Sequence, residues 1–195
     1  YMYETQKSFE ALGGEDIWET DFDGRSAETV AKDNTLSTIT LVKFAEEKAA
    51  SAGIELDDET ISEAEASAEE VYNGLTDSEK EDIGADLELY KEVMRENALY
   101  NEVYKYMVKD YVISDEEFDE YYEPNKDIIT EQYKAYLGIS DSEETVDEAQ
   151  VKDFARYYYE ENIRQQYFAS EFEKWQSEAD IEKNAQLWNT VTLIR

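Results

Sequence analysis

The side chains of this sequence that could do chemistry are carboxylates and tyrosines. The chain has 50 Asp and Glu residues and 16 Tyr, but neither histidine nor cysteine. It therefore cannot form a Ser-His-Asp or Cys-His catalytic group, or a zinc-thiolate site. A phosphate-binding loop of the GxxxxGK[ST] type is also missing, so the sequence indicates no ATP-driven cycle. Pairs of carboxylates remain as the catalytic option.

Carboxylate pairs are too common in this sequence to indicate a particular reaction. Glycoside hydrolases use two carboxyl groups that flank a sugar, but with 50 acidic residues such pairs arise by chance and none stands out. The best cation-binding pattern is Glu19-x-Asp21-x-Asp23-Gly24, which matches the first half of an EF-hand loop. Val30 stands where that loop needs its bidentate Glu. We expect no specific metal site and interpret the acidic runs as solvated surface.

Tyrosine clusters are the candidates for contacts with other polypeptides. Consecutive residues of a helix cannot all face inward, so at least one ring of Tyr157-Tyr158-Tyr159 should face outward or line a groove. A tyrosine ring offers a large amphipathic contact area, which suits the binding of varied peptides. The predicted peptide-binding residues are Tyr104, Tyr111, Tyr121, Tyr122, Tyr157 and Tyr158. The competing interpretation is that these tyrosines belong to the core and its boundary.

The charge of the chain limits its partners. A net charge of -32 repels the phosphates of nucleic acids and the surface of anionic membranes. The same charge attracts cationic partners, including basic unfolded segments. We predict unfolded or secreted polypeptides as partners, a homodimer as a further option, and membrane attachment only through an anchor outside this sequence. No cofactor is predicted.

Helices are the elements that must position these residues, because one proline and seven glycines favour long uninterrupted helices. Apolar residues three, four or seven apart predict a spine helix from about Asp86, which breaks at Ile113-Ser114 and restarts to Tyr122. Pro124 should then redirect the chain before a further helix. Other long helices are predicted from Ser26 to about Ala52 and from about Val146 to Glu178.

The predicted fold is all-α. It is built on two or three long helices and ends in a short extended C-terminal tail from about Trp188. Residues 1–195 should form a single helical domain, which can divide into two lobes of about 1–84 and 85–195. Ser/Thr-x-x-Glu capping boxes are predicted at Thr76, Ser114 and Thr145.

The order of several segments resembles a family of foldases. The segments are Ala52 to Ile54 with Leu56 to Ile61, Val112 to Asp127, Phe172 to Glu182, and the opening Gly14 to Trp18 with Asp23-Gly24. Together they resemble the SurA/PrsA-type extracytoplasmic foldases. This resemblance implies a helical chaperone domain that acts at the cell surface or in the periplasm, either secreted or anchored as a lipoprotein.

One departure from that family concerns catalysis. In many such foldases a parvulin-type prolyl isomerase domain follows the segment that Val112 to Asp127 resembles. Here only residues 128–150 precede the last long helix, too few for a domain of roughly 90 residues. Parvulin sites also rely on histidines, and this chain has none. The resemblance therefore implies a chaperone lobe without the isomerase, and no enzyme activity is expected.

Two functions remain open at this point. The leading prediction is an ATP-independent chaperone or foldase lobe that binds unfolded segments through apolar, Tyr-rich grooves. The alternative is an acidic interaction or scaffold module of a bacterial surface protein that recognises one folded partner.

Overall fold

The computed structural model describes residues 1–139 and 145–193. Within them, the α-helices are Met2–Gly13 (α1), Ala27–Ala52 (α2), Asp58–Gly74 (α3), Asp77–Ile83 (α4), Leu87–Val108 (α5), Asp115–Tyr136 (α6), Glu148–Glu178 (α7) and Ala185–Trp188 (α8). A 3-10 helix, Glu15–Glu19, precedes an antiparallel pair of short strands, Asp21–Phe22 (β1) and Arg25–Ser26 (β2). The all-α prediction is confirmed. Among the described residues, no helix is both long and apolar enough to cross a bilayer.

The chain forms two compact units, which differ from the predicted lobes. Of the described residues, 1–106 and 174–193 form the first unit, and 107–139 and 145–173 form the second. The first half of α5 packs on α3, so the first unit continues past Gly84, near which the two predicted lobes would meet. The ring of Tyr90 lies 5.5 Å from that of Tyr72, and Lys91 forms an ion pair of 2.8 Å with Glu69.

Local signals place both ends of α2 as predicted. The Ser26 hydroxyl accepts a hydrogen bond from the N–H of Thr29, and Gly53 ends the helix in the left-handed conformation. The acidic segment before α2 is a hairpin turn. The Asp21 carboxylate accepts a hydrogen bond of 2.7 Å from the N–H of Gly24, so this part of the EF-hand-like pattern serves the turn.

Pro124 lies inside α6 and does not redirect the chain. Proline removes one N–H from the helix and displaces a carbonyl of the preceding turn. The Asn125 side-chain amide donates a hydrogen bond of 2.7 Å to the carbonyl of Tyr121, which supports the backbone at this point. The separate helix predicted to follow is therefore the second half of α6. Its continuity places Phe118, Tyr122, Ile129 and Tyr133 on one buried face.

The last two elements begin later than predicted. Thr145 does not cap α7, which starts at Glu148 and has the Asp147 carboxylate accepting from the N–H of Ala149 at 2.8 Å. The predicted extended tail begins after α8, and residues 191–193 lie in neither helix nor strand. The carbonyl of Val191 accepts a hydrogen bond of 2.6 Å from Lys32 Nζ. Residues 194 and 195 lie outside the described part of the chain.

The capping box of α4 should make stability depend on pH. The backbone N–H of Thr76, then its hydroxyl, then the hydroxyl of Tyr3 donate to Glu79 and lower the pKa of this carboxyl to about 2. A lowered pKa in the folded state means that the ionised group stabilises the fold above its ordinary pKa of 4.5. We expect this stabilisation to decline as the pH falls from 4.5 toward 2.

The test is the urea midpoint of the wild type and of Glu79→Gln, measured from about pH 7 to about pH 3. The difference between the two midpoints should become smaller at pH values below 4.5, the ordinary pKa of Glu79. Glu81→Gln, which changes an exposed residue of the same helix, is the matched control. A difference that does not change with pH would contradict this account of Glu79.

Candidate functional site

The second unit has its own core, and this core positions the candidate site. Helix α6 contributes a row of residues spaced four or seven apart, and α7 contributes Val151 and Ala155, which are four apart. The buried members of the cluster are Ile113, Phe118, Tyr122, Ile129, Tyr133, Val151 and Ala155. The two rows face each other in the core. The residues that follow Tyr133 in α6 and the residues near Ala155 in α7 lie at the edge of this core.

Four aromatic side chains at that edge form what we call the aromatic patch: Tyr136, Phe154, Tyr157 and Tyr158. The ring of Phe154 lies 5.4 Å from that of Tyr136 and 4.6 Å from that of Tyr158. The rings of Tyr157 and Tyr158 lie 5.2 Å apart and nearly perpendicular, at 88°. Tyr136, Tyr157 and Tyr158 are 67%, 66% and 51% exposed, so the patch presents aromatic surface to solvent.

The patch is anchored to the core below it. The half-buried ring of Phe154 lies 5.2 Å from the ring of the buried Tyr133, which belongs to the core cluster. Tyr157 and Tyr158 follow Phe154 by three and four residues, so α7 carries all three on neighbouring rows of its surface. Two helices therefore hold the patch, and its geometry does not depend on a loop.

The tyrosine triplet divides between surface and core. The third tyrosine, Tyr159, turns inward, where its ring stacks on that of Tyr121 at 4.3 Å and lies 6.0 Å from that of Phe118. Burial is the main reason why the pKa of Tyr159 is raised, and nearby Glu117 contributes. The other two tyrosines of the triplet belong to the aromatic patch. Of the six predicted contact residues, the structure thus brings only Tyr157 and Tyr158 together at an exposed surface.

The other four predicted residues lie elsewhere. Tyr122 is only 1% exposed, and it is a core residue that has no ring surface to offer a peptide. Tyr121 is half-buried in its stack with Tyr159, and the ring of half-buried Tyr111 lies 5.1 Å from that of Tyr167. Tyr104 is half-buried on α5, in the first unit.

Two residues of the patch were missed by sequence reasoning. Tyr136 and Phe154 stand alone in the sequence and are separated by a connection, so no cluster or motif marks them. Their signal is spacing: Phe154 precedes the tyrosine pair by one helical turn, and Tyr136 follows Tyr133 by three residues. That spacing could have indicated a shared face on each helix, but not that the two faces meet.

Ion pairs engage the basic residues that neighbour the patch along α6 and α7. Arg156 donates to Asp115 at 2.7 Å and to Glu160 at 2.9 Å, and these bonds raise the pKa of its guanidinium. Lys152 pairs with Asp119 at 2.7 Å, which raises the pKa of its ammonium. Across the described residues, no three His, Cys, Asp or Glu side chains are grouped as metal ligands would be.

The first unit has a separate concave surface. A cavity of about 810 Å³ lies along α1 and α5, and its tyrosine and apolar walls include Tyr1, Tyr3, Leu89, Tyr90, Val93, Met94, Val191 and Leu193. The hydroxyls of Tyr1 and Tyr3 donate to Glu96 and Glu79. Burial is the main reason why the pKa of Tyr90 is raised to about 12. The apolar spacing that predicted the spine helix did not indicate this cavity.

Comparison with known proteins gives no family for this chain. No family model matches it, and no match was found among curated proteins or among solved structures. The resemblance to SurA/PrsA-type foldases and the absence of an isomerase stay predictions.

Proposed function

We propose that this chain is the client-binding lobe of an ATP-independent chaperone, and that the aromatic patch holds apolar segments of unfolded polypeptides. The observation that carries the proposal is the exposure of Tyr136, Tyr157 and Tyr158 around Phe154. Exposed apolar clusters on folded proteins mark interaction surfaces. The extracytoplasmic location rests on the segment resemblance alone.

The chemistry of the patch suits a client that has no fixed sequence. Tyrosine rings give large contact areas at low conformational cost, and they accept aliphatic, aromatic and polar neighbours. Each apolar side chain that a client buries contributes about 1.5–3 kcal/mol, so a few side chains suffice for reversible binding. Release then needs no ATP, because no single contact is strong.

The acidic surface supports the same function. At a net charge of -32 the chains repel one another, which keeps a protein with exposed aromatic rings in solution. Unfolded clients with basic residues are attracted at long range by the same charge.

The proposal is tested by the aggregation of several unrelated unfolded proteins, followed by light scattering at near-stoichiometric amounts of this protein. We expect the wild type to delay aggregation of each client. The variant Tyr157→Ser/Tyr158→Ser should bind a fluorescent apolar peptide about ten-fold more weakly or worse, because it removes two aromatic contacts. Its protection against aggregation should fall accordingly.

The matched control is Tyr106→Ser, which removes a tyrosine of the first unit that is 44% exposed. This variant should protect clients as well as the wild type does. If the protein protects no client but binds one folded partner, the chaperone proposal is wrong and the protein is an interaction module. Equal loss of protection in the control would show that the aromatic patch is not the binding surface.

A further inference from the structure

We infer that the aromatic patch selects client segments in which arginine accompanies apolar residues. This inference rests on the proposed function, since it concerns the clients of that same surface.

Carboxylates flank the exposed rings along α7. Asp153 precedes Tyr157 by four residues and Glu161 follows it by four, so all three lie on one row of the helix. Asp153 is exposed and has no ion-pair partner among the described residues. Glu161 accepts a hydrogen bond of 3.2 Å from the side-chain amide of Gln165.

The basic residues of the same helices have partners within the protein. Among the described residues from 115 to 173, every Lys and Arg has a carboxylate partner. The pairs are Lys126–Glu148, Lys134–Glu131, Lys152–Asp119, Arg156 with Asp115 and Glu160, and Arg164–Glu160. Asp153 is therefore open to pair with a basic residue of the client.

The open tyrosine faces favour arginine over lysine. A guanidinium is planar, more weakly hydrated than an ammonium, and stacks on aromatic rings while its N–H groups reach a carboxylate. Tyr157 and Tyr158 are both more than half exposed, and Asp153 lies one turn away on α7. By contrast, the long-range field of an acidic protein attracts lysine and arginine equally. A preference for arginine over lysine is thus the signature of this surface.

The experiment uses three fluorescent peptides with the same apolar residues, flanked by arginine, by lysine, or by citrulline, a neutral analogue of arginine. Their Kd values are measured by anisotropy at about 0.15 M salt, where long-range attraction is screened. We expect the arginine peptide to bind about ten-fold more tightly than the citrulline peptide and about three-fold more tightly than the lysine peptide.

Two variants locate the preference. Tyr157→Leu/Tyr158→Leu keeps apolar area but removes the aromatic faces, so the difference between arginine and lysine should disappear. Asp153→Asn should raise the Kd of the arginine peptide and of the lysine peptide by a similar factor. The Kd of the citrulline peptide should change least. The matched controls in the first unit are Tyr106→Leu and Glu63→Gln, and both should retain the wild-type order of affinities.

The outcomes separate this inference from the proposed function. Equal Kd values for the arginine and citrulline peptides would overturn the inference and leave the chaperone proposal standing. An arginine preference that persists in the double leucine variant would also overturn it, because the preference would lie elsewhere. If no peptide binds the wild type, both proposals fail.

Discussion

Replacing Phe118 by alanine should lower the free energy of unfolding by about 3–5 kcal/mol. The ring is 0% exposed and sits at the centre of the core of the second unit. It lies 5.7 Å from the ring of Tyr122 and 6.0 Å from that of Tyr159. The guanidinium of Arg156 lies 5.2 Å from its centroid, so the substitution also removes a cation–π contact.

This loss should appear as a lower urea midpoint in far-UV circular dichroism. Phe118→Leu is the matched control, because leucine fills most of the same volume and should cost about 1.5 kcal/mol or less. A change below about 1 kcal/mol in the alanine variant would show that neighbouring side chains collapse into the space. Since the aromatic patch rests on this core, Phe118→Ala should also weaken peptide binding without altering any patch residue.

Local signals in the sequence were reliable at both ends of α2 but not at Thr145 or Pro124. The side chain of Ser26 accepts a hydrogen bond from a backbone N–H at the start of α2, and the left-handed conformation of Gly53 ends the helix. Both ends of α2 could therefore be predicted. Pro124 gave a wrong prediction because its local effect on the backbone does not decide where α6 ends. Its effect on the backbone is offset by the Asn125 side chain and by the buried face of α6, and this face depends on tertiary packing.

The candidate site could be predicted only in part. Three consecutive tyrosines in a helix cannot all face inward, so the sequence showed that at least one of residues 157–159 faces outward. In the structure Tyr157 and Tyr158 are exposed. Whether a lone aromatic such as Tyr136 or Phe154 joins them depends on how α6 and α7 pack. Tyr122 shows the converse, because adjacency to another tyrosine says nothing about which of the two is buried.

Replacing Tyr122 by phenylalanine should stabilise the protein by about 1–2 kcal/mol, although the substitution removes a polar group. The hydroxyl oxygen is buried and has no hydrogen-bond partner among the described residues. A buried polar group without a partner gives up its hydration and gains nothing in return. Phenylalanine keeps the ring and its stack on Phe118 and removes only this cost.

Tyr133→Phe is the matched control, because the hydroxyl of Tyr133 lies in the same core but donates to Gln150 at 3.4 Å. We expect this second variant to be neutral or less stable, so only Tyr122→Phe should raise the urea midpoint. A lower midpoint for Tyr122→Phe would show that its hydroxyl has a partner, such as a buried water.

The same variant separates core from contact surface. If Tyr122 contacted clients, removing its hydroxyl would change the Kd of a bound peptide. Because its ring lies in the core, we expect Tyr122→Phe to leave peptide affinity unchanged while it raises stability. Binding that weakens as stability rises would instead assign Tyr122 to the client surface and would require the core of the second unit to open during binding.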